Sequence, residues 1–177
     1  MSFNHGYGKL PSGNYFQSNE FTLMFMIKIL SYKYFALILE SSNNHRNKIS
    51  INFKGNTGEL CVWIDDSLIV SSVLPVGKWT HVTIKSGDGK VKIFRDSVDP
   101  LSDSNFAAIP LSDSNFAALS HVERSDNFIG YSTIKNSSQH RLNSILDELK
   151  IFNRALSNEE IQNEMNVKQP YDILKIN

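Results

Sequence analysis

Acidic side chains are the groups best suited to chemistry in this chain of 177 residues. A retaining glycosidase needs two carboxylates about 5 Å apart across the sugar, and no predicted strand carries such a pair. The nearest cluster, Glu159, Glu160 and Glu164, belongs to a predicted helix start, where acids favour the positive end of the helix dipole. His81 has no serine or cysteine nucleophile motif beside it, and Cys61, the single cysteine, lacks the paired spacing of a zinc site. We therefore predict a domain without catalytic activity.

Four residues are candidates for ligand binding. Trp63 lies on the strand phase opposite its apolar neighbours, so its ring can face outward as a platform for a sugar. Asp65 and Asp66 follow at a predicted turn, and His81 lies on the predicted strand that begins at Trp79. The alternative is that a loop covers Trp63 and that the two aspartates are ordinary turn residues.

Asp147 is a candidate of a different kind, because a period-two strand places it in phase with Leu149 and Ile151. That phase predicts a carboxylate that points toward the buried face. An ionised carboxylate removed from water costs several kcal/mol unless it is paired, hydrogen-bonded or metal-bound. Asp147 is therefore expected either to bind a cation or to accept hydrogen bonds from backbone N–H groups, a hydroxyl or a lysine.

The elements that must position these residues are mostly short strands separated by turn residues, a spacing typical of an all-β sandwich or jelly roll. Phe21 to Leu30 is apolar on both strand phases, which predicts a central strand covered on both faces, and residues 34–40 are predicted to pair beside it. Residues 51–66 and 79–94 are predicted to form two hairpins, each around a turn containing glycine.

A short helix is predicted at about residues 157–166. Ser157 and Glu160 have the spacing of a capping box, and Leu156 and Ile161 are placed to form the hydrophobic staple that accompanies it.

Length and composition fit one domain over residues 1–177, with 41% hydrophobic residues for its core. The formal net charge is zero, with 18 basic and 18 acidic residues, which argues against nucleic acid and anionic lipid as partners. No apolar run is long enough for a membrane span, and no secretion signal pattern opens the chain. If the domain is extracellular, we expect the signal to have been removed or to lie elsewhere in a larger protein.

A tandem decapeptide interrupts the strand pattern. PLSDSNFAAI occupies residues 100–109 and PLSDSNFAAL occupies residues 110–119. Two copies are too few for a solenoid, and proline and polar turn residues predict a surface loop insertion at about residues 97–122.

Four segments together resemble the laminin-G-like domains of the concanavalin A-like lectin class. They are FNHGYGKLPSGNYFQSNEFTLMFMIKI at the front, GKWTHVTIKSGDGKVKIFRD at residues 77–96, NFIGYS at residues 127–132, and ILDELKIFNRALSNEEIQ at residues 145–162. The resemblance covers nearly the whole chain. It implies a two-sheet antiparallel jelly-roll sandwich with one short C-terminal helix.

The function that this resemblance implies is non-catalytic lectin-like recognition or adhesion. The partner would be a glycan or a protein, and the domain would belong to a larger extracellular or surface protein. The alternative is a structural spacer or assembly domain, like the jelly-roll domain beside the receptor-binding part of clostridial neurotoxins. A glycosidase comes last, and the sequence does not indicate an oligomeric state.

The resemblance also implies one structural calcium ion. In many concanavalin A-like domains an aspartate at the place of Asp147 helps to hold calcium, together with backbone carbonyls from the N-terminal segment. In this chain those carbonyls would come from residues 4–8, with Asn4 and Gly6 as the candidates. Calcium accepts such a mixed shell of oxygen ligands.

Overall fold

Twelve strands and one helix form the part of the chain that the computed structural model describes. The described residues are 2–4, 8–13, 15–16, 18–32, 37–43, 46–54, 57–64, 67–87, 90–96, 109–110, 123–130 and 143–166. The strands make two six-stranded sheets in which neighbouring strands run antiparallel. The predicted all-β sandwich with one short helix is therefore confirmed, and the single domain over residues 1–177 stays a prediction.

Each of the two sheets combines strands from early, middle and late parts of the chain. In spatial order, the first sheet consists of β1 (Ser2–Asn4), β12 (Asn143–Phe152), β3 (Phe21–Ile29), β8 (Trp79–Gly87), β9 (Lys90–Arg95) and β10 (Ile109–Pro110). In the same order, the second sheet consists of β2 (Gly8–Lys9), β11 (Asp126–Ile129), β4 (Leu37–Asn43), β5 (Arg46–Lys54), β6 (Glu59–Ile64) and β7 (Ser67–Val73). The helix α1 spans Asn158–Asn166.

The core lies between the sheets and is supplied by alternate residues of each long strand. Because side chains alternate across a strand, one phase of β3, β5, β6, β8 and β9 reaches the core. Fully burying one such aliphatic or aromatic side chain stabilises the fold by about 1.5–3 kcal/mol. The main core cluster includes Leu23, Phe25, Ile27, Ile49, Ile51, Phe53, Leu60, Val62, Ile64, Val82, Ile84, Val91 and Ile93.

The outer face of the first sheet is covered by α1 and the segment before it. Met24 of β3 and Phe94 of β9 are buried there against the helix region. The other members of this second cluster are Leu156, Ile161, Phe152 and Met165. The prediction that the strand at Phe21–Ile29 is central and covered on both faces is thus confirmed.

The capping box predicted at the start of α1 is also confirmed. The Ser157 backbone N–H donates to Glu160 Oε2 at 2.7 Å, and the Glu160 N–H donates to Ser157 Oγ at 3.1 Å. The Arg154 guanidinium makes a bidentate hydrogen bond to the same carboxylate, with Nη1 donating to Oε2 at 3.0 Å and Nη2 donating to Oε1 at 2.7 Å. The hydrogen bonds from Arg154 and from Ser157 lower the pKa of Glu160 to about 2.

A lysine from the sheet binds the other end of the helix. Lys150 Nζ donates to the Glu164 carbonyl at 3.0 Å and to Glu164 Oε2 at 2.8 Å. A cation near the last carbonyls of a helix interacts favourably with its dipole, and the last turn of α1 has no basic residue of its own. Both ends of α1 are therefore attached to the first sheet or to the turn that leaves it.

Buried polar side chains attach the segment before β3 to the second sheet. Arg124 has no exposed surface, and its guanidinium donates to the carbonyls of Tyr15 at 2.5 Å and Phe16 at 3.3 Å. Asn127 donates to the carbonyls of Pro11 at 3.0 Å and Arg124 at 2.7 Å. The bonds to the carbonyls of Tyr15, Phe16 and Pro11 join parts of the chain more than a hundred residues apart.

The prediction that residues 34–40 pair beside the central strand is wrong. β4 begins at Leu37 and lies in the second sheet, between β11 and β5. Only a short connection separates β4 from β5, and strands so joined usually pair with each other. The neighbours of β3 are β12 and β8, which come from much later in the chain.

The tandem decapeptide differs from the predicted loop at the junction of its copies. Ile109 and Pro110 form the short edge strand β10, which pairs with Val91 and Lys90 of β9. Proline is compatible with an edge strand because one side of such a strand needs no ladder hydrogen bonds. The remaining residues of the two copies lie outside the described residues.

The predicted phase of Asp147 is wrong because β12 contains a bulge. Asp147 pairs with Met26 and Lys150 pairs with Met24, so two residues of β12 stand opposite one residue of β3. The extra residue is Glu148, whose φ is 51°. A bulge of this kind reverses the alternation of side chains. Leu149 and Ile151 therefore pack against the core after the bulge, whereas Asp147 lies on the outer face.

We expect the positive φ of Glu148 to decide which substitutions the bulge accepts. A non-glycine residue in this conformation costs roughly 1–2 kcal/mol, and a β-branched side chain fits it worst. Glu148→Val should therefore unfold with a free energy about 1–2 kcal/mol lower than that of Glu148→Gly, measured by urea denaturation. Equal stability of the two variants would show that the bulge does not hold Glu148 in this conformation in solution.

Candidate functional site

The outer face of the second sheet carries a continuous row of side chains from five neighbouring strands. The register pairs Lys9 with Phe128, Phe128 with Glu40, Glu40 with Ser50, and Ser50 with Trp63. Directly paired residues of antiparallel strands share one face of the sheet. The strand neighbours of this row on the other phase belong to the core, namely Leu39, Ile49, Ile51, Val62, Ile64 and Ile129. The row therefore faces away from the core, as predicted for Trp63.

The middle of the row is buried and its two aromatic residues are partly accessible. Glu40 and Ser50 are each 1% exposed, whereas Phe128 and Trp63 are half-buried. Strands lie about 4.8 Å apart, so three strand intervals separate Phe128 from Trp63 by roughly 14 Å. The face thus presents two ring surfaces with polar groups between and beneath them.

The buried carboxylate of Glu40 is paired with an ammonium group. Lys48 Nζ lies 3.3 Å from Glu40 Oε2, and the exposed fractions of the two side chains are 23% and 1%. Lys48 precedes Ser50 by two residues in β5 and therefore lies on the same face. This pairing compensates the charge of Glu40, and part of the Lys48 side chain is exposed on this face.

Further polar atoms on this face have unused hydrogen-bonding capacity. Ser42 pairs with Asp126 and is completely buried, and its Oγ has no hydrogen-bond partner among the described residues. Asn52 pairs with Cys61, and its buried Oδ1 likewise has none there. A buried polar atom without a partner costs roughly 1–3 kcal/mol. Buried polar atoms without a hydrogen-bond partner are rare in folded proteins. Both Ser42 Oγ and Asn52 Oδ1 lie beside the row.

Cys61 is a structural residue on this face. It is 2% exposed, and burial, reinforced by the charge of Glu59, raises the pKa of its thiol. A protonated, buried thiol is a poor nucleophile and a poor metal ligand. The described residues contain no group of three or more histidine, cysteine, aspartate and glutamate side chains placed to hold a metal ion.

The predicted ligand-binding residues are not brought together. Trp63 lies on the outer face of the second sheet, whereas His81 pairs with Met26 and lies on the outer face of the first sheet. These faces are on opposite sides of the sandwich, so Trp63 and His81 do not form one site. Asp65 and Asp66 lie outside the described residues. A role for Trp63 in binding stays a prediction.

His81 is held by two hydrogen bonds between its backbone and Asp96. Its N–H donates to Asp96 Oδ1 at 2.9 Å, and its carbonyl accepts the Asp96 N–H at 2.9 Å. The side chain is 7% exposed. Burial lowers the pKa of His81 to about 4, with Lys150 acting in the same direction and Asp96 opposing it. The imidazole is therefore neutral near pH 7 and fits a packing role.

We expect His81 to make the fold sensitive to mild acid. The unfolded chain takes up a proton near the ordinary pKa of 6.5, whereas the folded protein does so only at about 4. Stability is therefore complete above pH 6.5 and falls as the pH approaches 4, by about 3 kcal/mol at most. Urea unfolding of wild type and His81→Gln at pH 7 and pH 4 measures this loss. A wild-type loss that His81→Gln does not reduce would assign the effect to other groups.

The register separates two of the proposed calcium ligands, Asn4 and Asp147, along β12. Asn4 pairs with Asn143, four residues before Asp147 on β12, which corresponds to about 13 Å along the strand. Two ligands of one calcium ion lie within about 5 Å of each other, because each is at roughly 2.3–2.6 Å from the ion. Asp147 Oδ1 instead accepts the Glu148 N–H at 3.0 Å. Gly6 lies outside the described residues, and calcium binding by the domain stays a prediction.

We expect any stabilisation by calcium to be independent of Asp147. The melting temperatures of wild type and Asp147→Asn are each measured in calcium and in chelator. The change between the two conditions should be the same for both proteins, whether or not calcium changes the melting temperature. A wild-type increase that Asp147→Asn loses would restore the aspartate as a calcium ligand.

Of the residues in the row, the sequence analysis predicted only Trp63 as a ligand-binding residue. Lys48 and Ser50 alternate with the predicted core residues of β5, so the period-two pattern that identified Trp63 could have identified them as well. The predicted hairpin also implies that Ser50 and Trp63 are cross-strand neighbours. Glu40 and Phe128 could not have been found in this way, because β4 and β11 are far apart in the sequence.

Residues 3–162 match the family described as the concanavalin A-like lectin/glucanases superfamily. The match covers most of the chain, and the chain belongs to this family. No curated protein sequence matches the chain significantly.

Solved structures with the same fold include domains of glycan-processing enzymes. The NanB sialidase from Streptococcus pneumoniae matches with a TM-score of 0.67 and 15% identity over 92% of this chain and 26% of the sialidase chain. Domain 4 of AbnA, a GH43 extracellular arabinanase from Geobacillus stearothermophilus in complex with arabinotriose, matches with a TM-score of 0.63 and 18% identity, over 88% of this chain and 70% of that chain. A Trypanosoma rangeli sialidase matches with a TM-score of 0.59 and 14% identity, over 88% of this chain and 24% of that chain.

At these identities the structural matches show the fold alone. The chain spans about a quarter of the sialidase chains, so the activities of those enzymes do not transfer to it. Among the described residues, no helix is both long enough and apolar enough to cross a membrane.

Proposed function

We propose that the domain is a non-catalytic glycan-binding module of a larger secreted or surface protein. The observation that carries this proposal is the outward-facing row on the second sheet, in which Trp63 and Phe128 flank the polar residues Glu40 and Ser50. A sugar ring stacks its C–H face on an aromatic ring and satisfies its hydroxyls with neighbouring polar side chains. Trp63 and Phe128 offer the stacking surface, and part of the Lys48 side chain is exposed beside them, whereas Glu40 and Ser50 are buried.

The relatives support a glycan as the partner. The family description includes lectins and glucanases, and the AbnA domain with the same fold is described in complex with arabinotriose. That arabinanase is described as extracellular, which supports a secreted or surface location for the parent protein. Fold likeness by itself does not determine function, so the proposal rests on the row.

The absence of catalysis is part of the proposal. A glycosidase needs a carboxylic acid and a second carboxylate that both reach the sugar. Glu40 is buried and paired with Lys48, and His81 lies on the opposite side of the sandwich. The described residues of the row therefore supply contacts for binding and no acid and nucleophile pair.

A second candidate function is assembly with another protein surface. Leu30, Val76 and Trp79 are between 43% and 49% exposed. They lie at the same end of the first sheet, because Val76 bridges to Ile29 and Trp79 pairs with Lys28. Exposed apolar groups of this kind favour contact with a partner.

We expect Trp63→Ala to weaken glycan binding at least tenfold, because it removes the ring that stacks on the sugar. Binding to a glycan array, followed by titration calorimetry of the strongest hit, measures the change. Trp79→Ala is the matched control, since it removes the only other tryptophan from the opposite outer face and should leave binding intact.

Unchanged glycan binding by a folded Trp63→Ala variant would show that the row does not form the glycan-binding site. No glycan binding by the wild type, together with self-association that Trp79→Ala abolishes on size-exclusion chromatography, would favour the assembly function instead.

A further inference from the structure

We propose that the open edge of β7 (Ser67–Val73) is the surface through which two copies of this chain associate. The two β7 strands pair antiparallel around a two-fold axis at Ile69 and join the second sheets of the two copies edge to edge. This inference goes beyond the proposed glycan-binding function, because it concerns the backbone at the sheet edge and requires none of the residues of the row.

β7 is the longest of the strands that lie at the edges of the two sheets. The edge strands of the first sheet are β1, with three residues, and β10, with two, one of which is Pro110. Those of the second sheet are β2, with two residues, and β7, with seven. No described strand pairs with the other side of β7. Because very short edge strands offer few backbone groups to a partner, β7 is the edge suited to an additional strand.

The sequence of β7 lacks the features with which proteins usually block an edge. Blocked edges carry charged residues, particularly lysine, or proline, or a bulge that twists the strand away. β7 reads SLIVSSV and contains neither a charged residue nor a proline. Its register shift comes after Val70, where three steps along β7 match two steps along β6. The segment Ser67–Val70 before this bulge is therefore an unblocked edge.

The ladder with β6 determines which backbone groups of β7 face the open edge. Ile64 pairs with Ser67 across a connection of only two residues, and the closing pair of such a hairpin is hydrogen-bonded. Hydrogen-bonded and non-hydrogen-bonded pairs then alternate along an antiparallel ladder. Leu68 and Val70 fall in non-hydrogen-bonded pairs. Their N–H and C=O groups therefore point away from β6, toward the open edge.

Two hydrogen bonds beyond the bulge agree with this alternation. The Leu74 N–H donates to the carbonyl of Gly58, the residue before β6, at 3.4 Å. The carbonyl of Val73, one residue earlier, instead accepts from Arg95 Nη1 of the first sheet at 3.4 Å. That carbonyl is turned away from β6 and is already bonded. Before the bulge, two residues with two donors and two acceptors face the open edge.

A second copy of the same edge satisfies all four of these groups. When two β7 strands run antiparallel with Ile69 opposite Ile69, Leu68 of each copy stands opposite Val70 of the other. Both of these pairs exchange two N–H···O bonds, as the hydrogen-bonded pairs of an antiparallel ladder do. The contact is isologous and closes as a dimer. Since β7 has no charged residue, the pairing places no like charges opposite each other, which would oppose it.

Sedimentation velocity over a concentration series measures the dissociation constant of the wild-type dimer. Val70→Pro removes an N–H that faces the open edge, where proline leaves the ladder with β6 intact. The substitution removes two of the four intermolecular hydrogen bonds and should raise the dissociation constant at least tenfold. Trp79→Ala is the control, because it removes a large apolar side chain that is 44% exposed on the first sheet. It should change the constant less than threefold.

A disulfide across the two-fold axis tests the register. Ile69→Cys places two cysteines in a non-hydrogen-bonded pair, whose Cα atoms are about 4.5 Å apart, within the roughly 4.4–6.8 Å that a disulfide spans. Mild oxidation should therefore link the two copies. Val73→Cys is the matched control, because Val73 is 46% exposed but lies about 27 Å from its counterpart along the paired strands. It should link far less, and Cys61, which is 2% exposed, gives the wild-type background.

Circular dichroism and a melting curve check that each variant is folded. If Val70→Pro does not fold, Leu68→Pro makes the same change at the other residue that faces the edge. Where neither proline variant folds, the comparison of the two cysteine variants decides.

A wild type that stays monomeric up to millimolar concentration would overturn the inference. So would a dimer that the folded proline variant leaves unchanged, a dimer that Trp79→Ala abolishes, or equal linking of Ile69→Cys and Val73→Cys. None of these measurements uses a glycan, so failure of this inference and failure of the proposed function are observed separately.

Discussion

The central strand β3 imposes the constraint on which the rest of the structure depends. Both of its phases are apolar, so both faces of the first sheet at this strand have to be covered. The second sheet covers one face with the main core, and α1 with its preceding segment covers the other. Because the helix occupies the outer face of the first sheet, the polar row and its aromatic residues are found on the outer face of the second.

The features that could be predicted from the sequence depend on residues close together in the chain. The hairpins follow from alternating apolar residues on either side of a glycine turn, and the start of α1 follows from Ser157 and Glu160. The outward phase of Trp63 comes from the same short-range pattern. In each case the interacting groups lie within about fifteen residues, where side-chain periodicity and turn chemistry decide the structure.

The features that could not be predicted depend on a local irregularity or on distant parts of the chain. The bulge at Glu148 turned Asp147 to the outer face, and nothing in a period-two pattern marks an extra residue. The pairing of β4 with β11 joins segments 86 residues apart, as the Ser41 to Asn127 hydrogen bond shows. Glu40 and Phe128 are neighbours only because of that pairing. Their place in the row could therefore not be predicted from the sequence.

The strand order of the first sheet also determines when the fold can be completed. β3 pairs with β12, and their register joins Thr22 to Phe152 and Ile29 to Ser144. During synthesis from the N-terminus, β3 is made early, and its neighbour on this side is made only when residues 143–152 leave the ribosome. Until then one edge of an apolar strand has unpaired backbone groups, which favour pairing with other chains. Contacts of such large sequence separation also slow folding. For the larger protein in which we place this domain, the yield of correctly folded molecules therefore depends on keeping that edge apart from other nascent chains until β12 arrives.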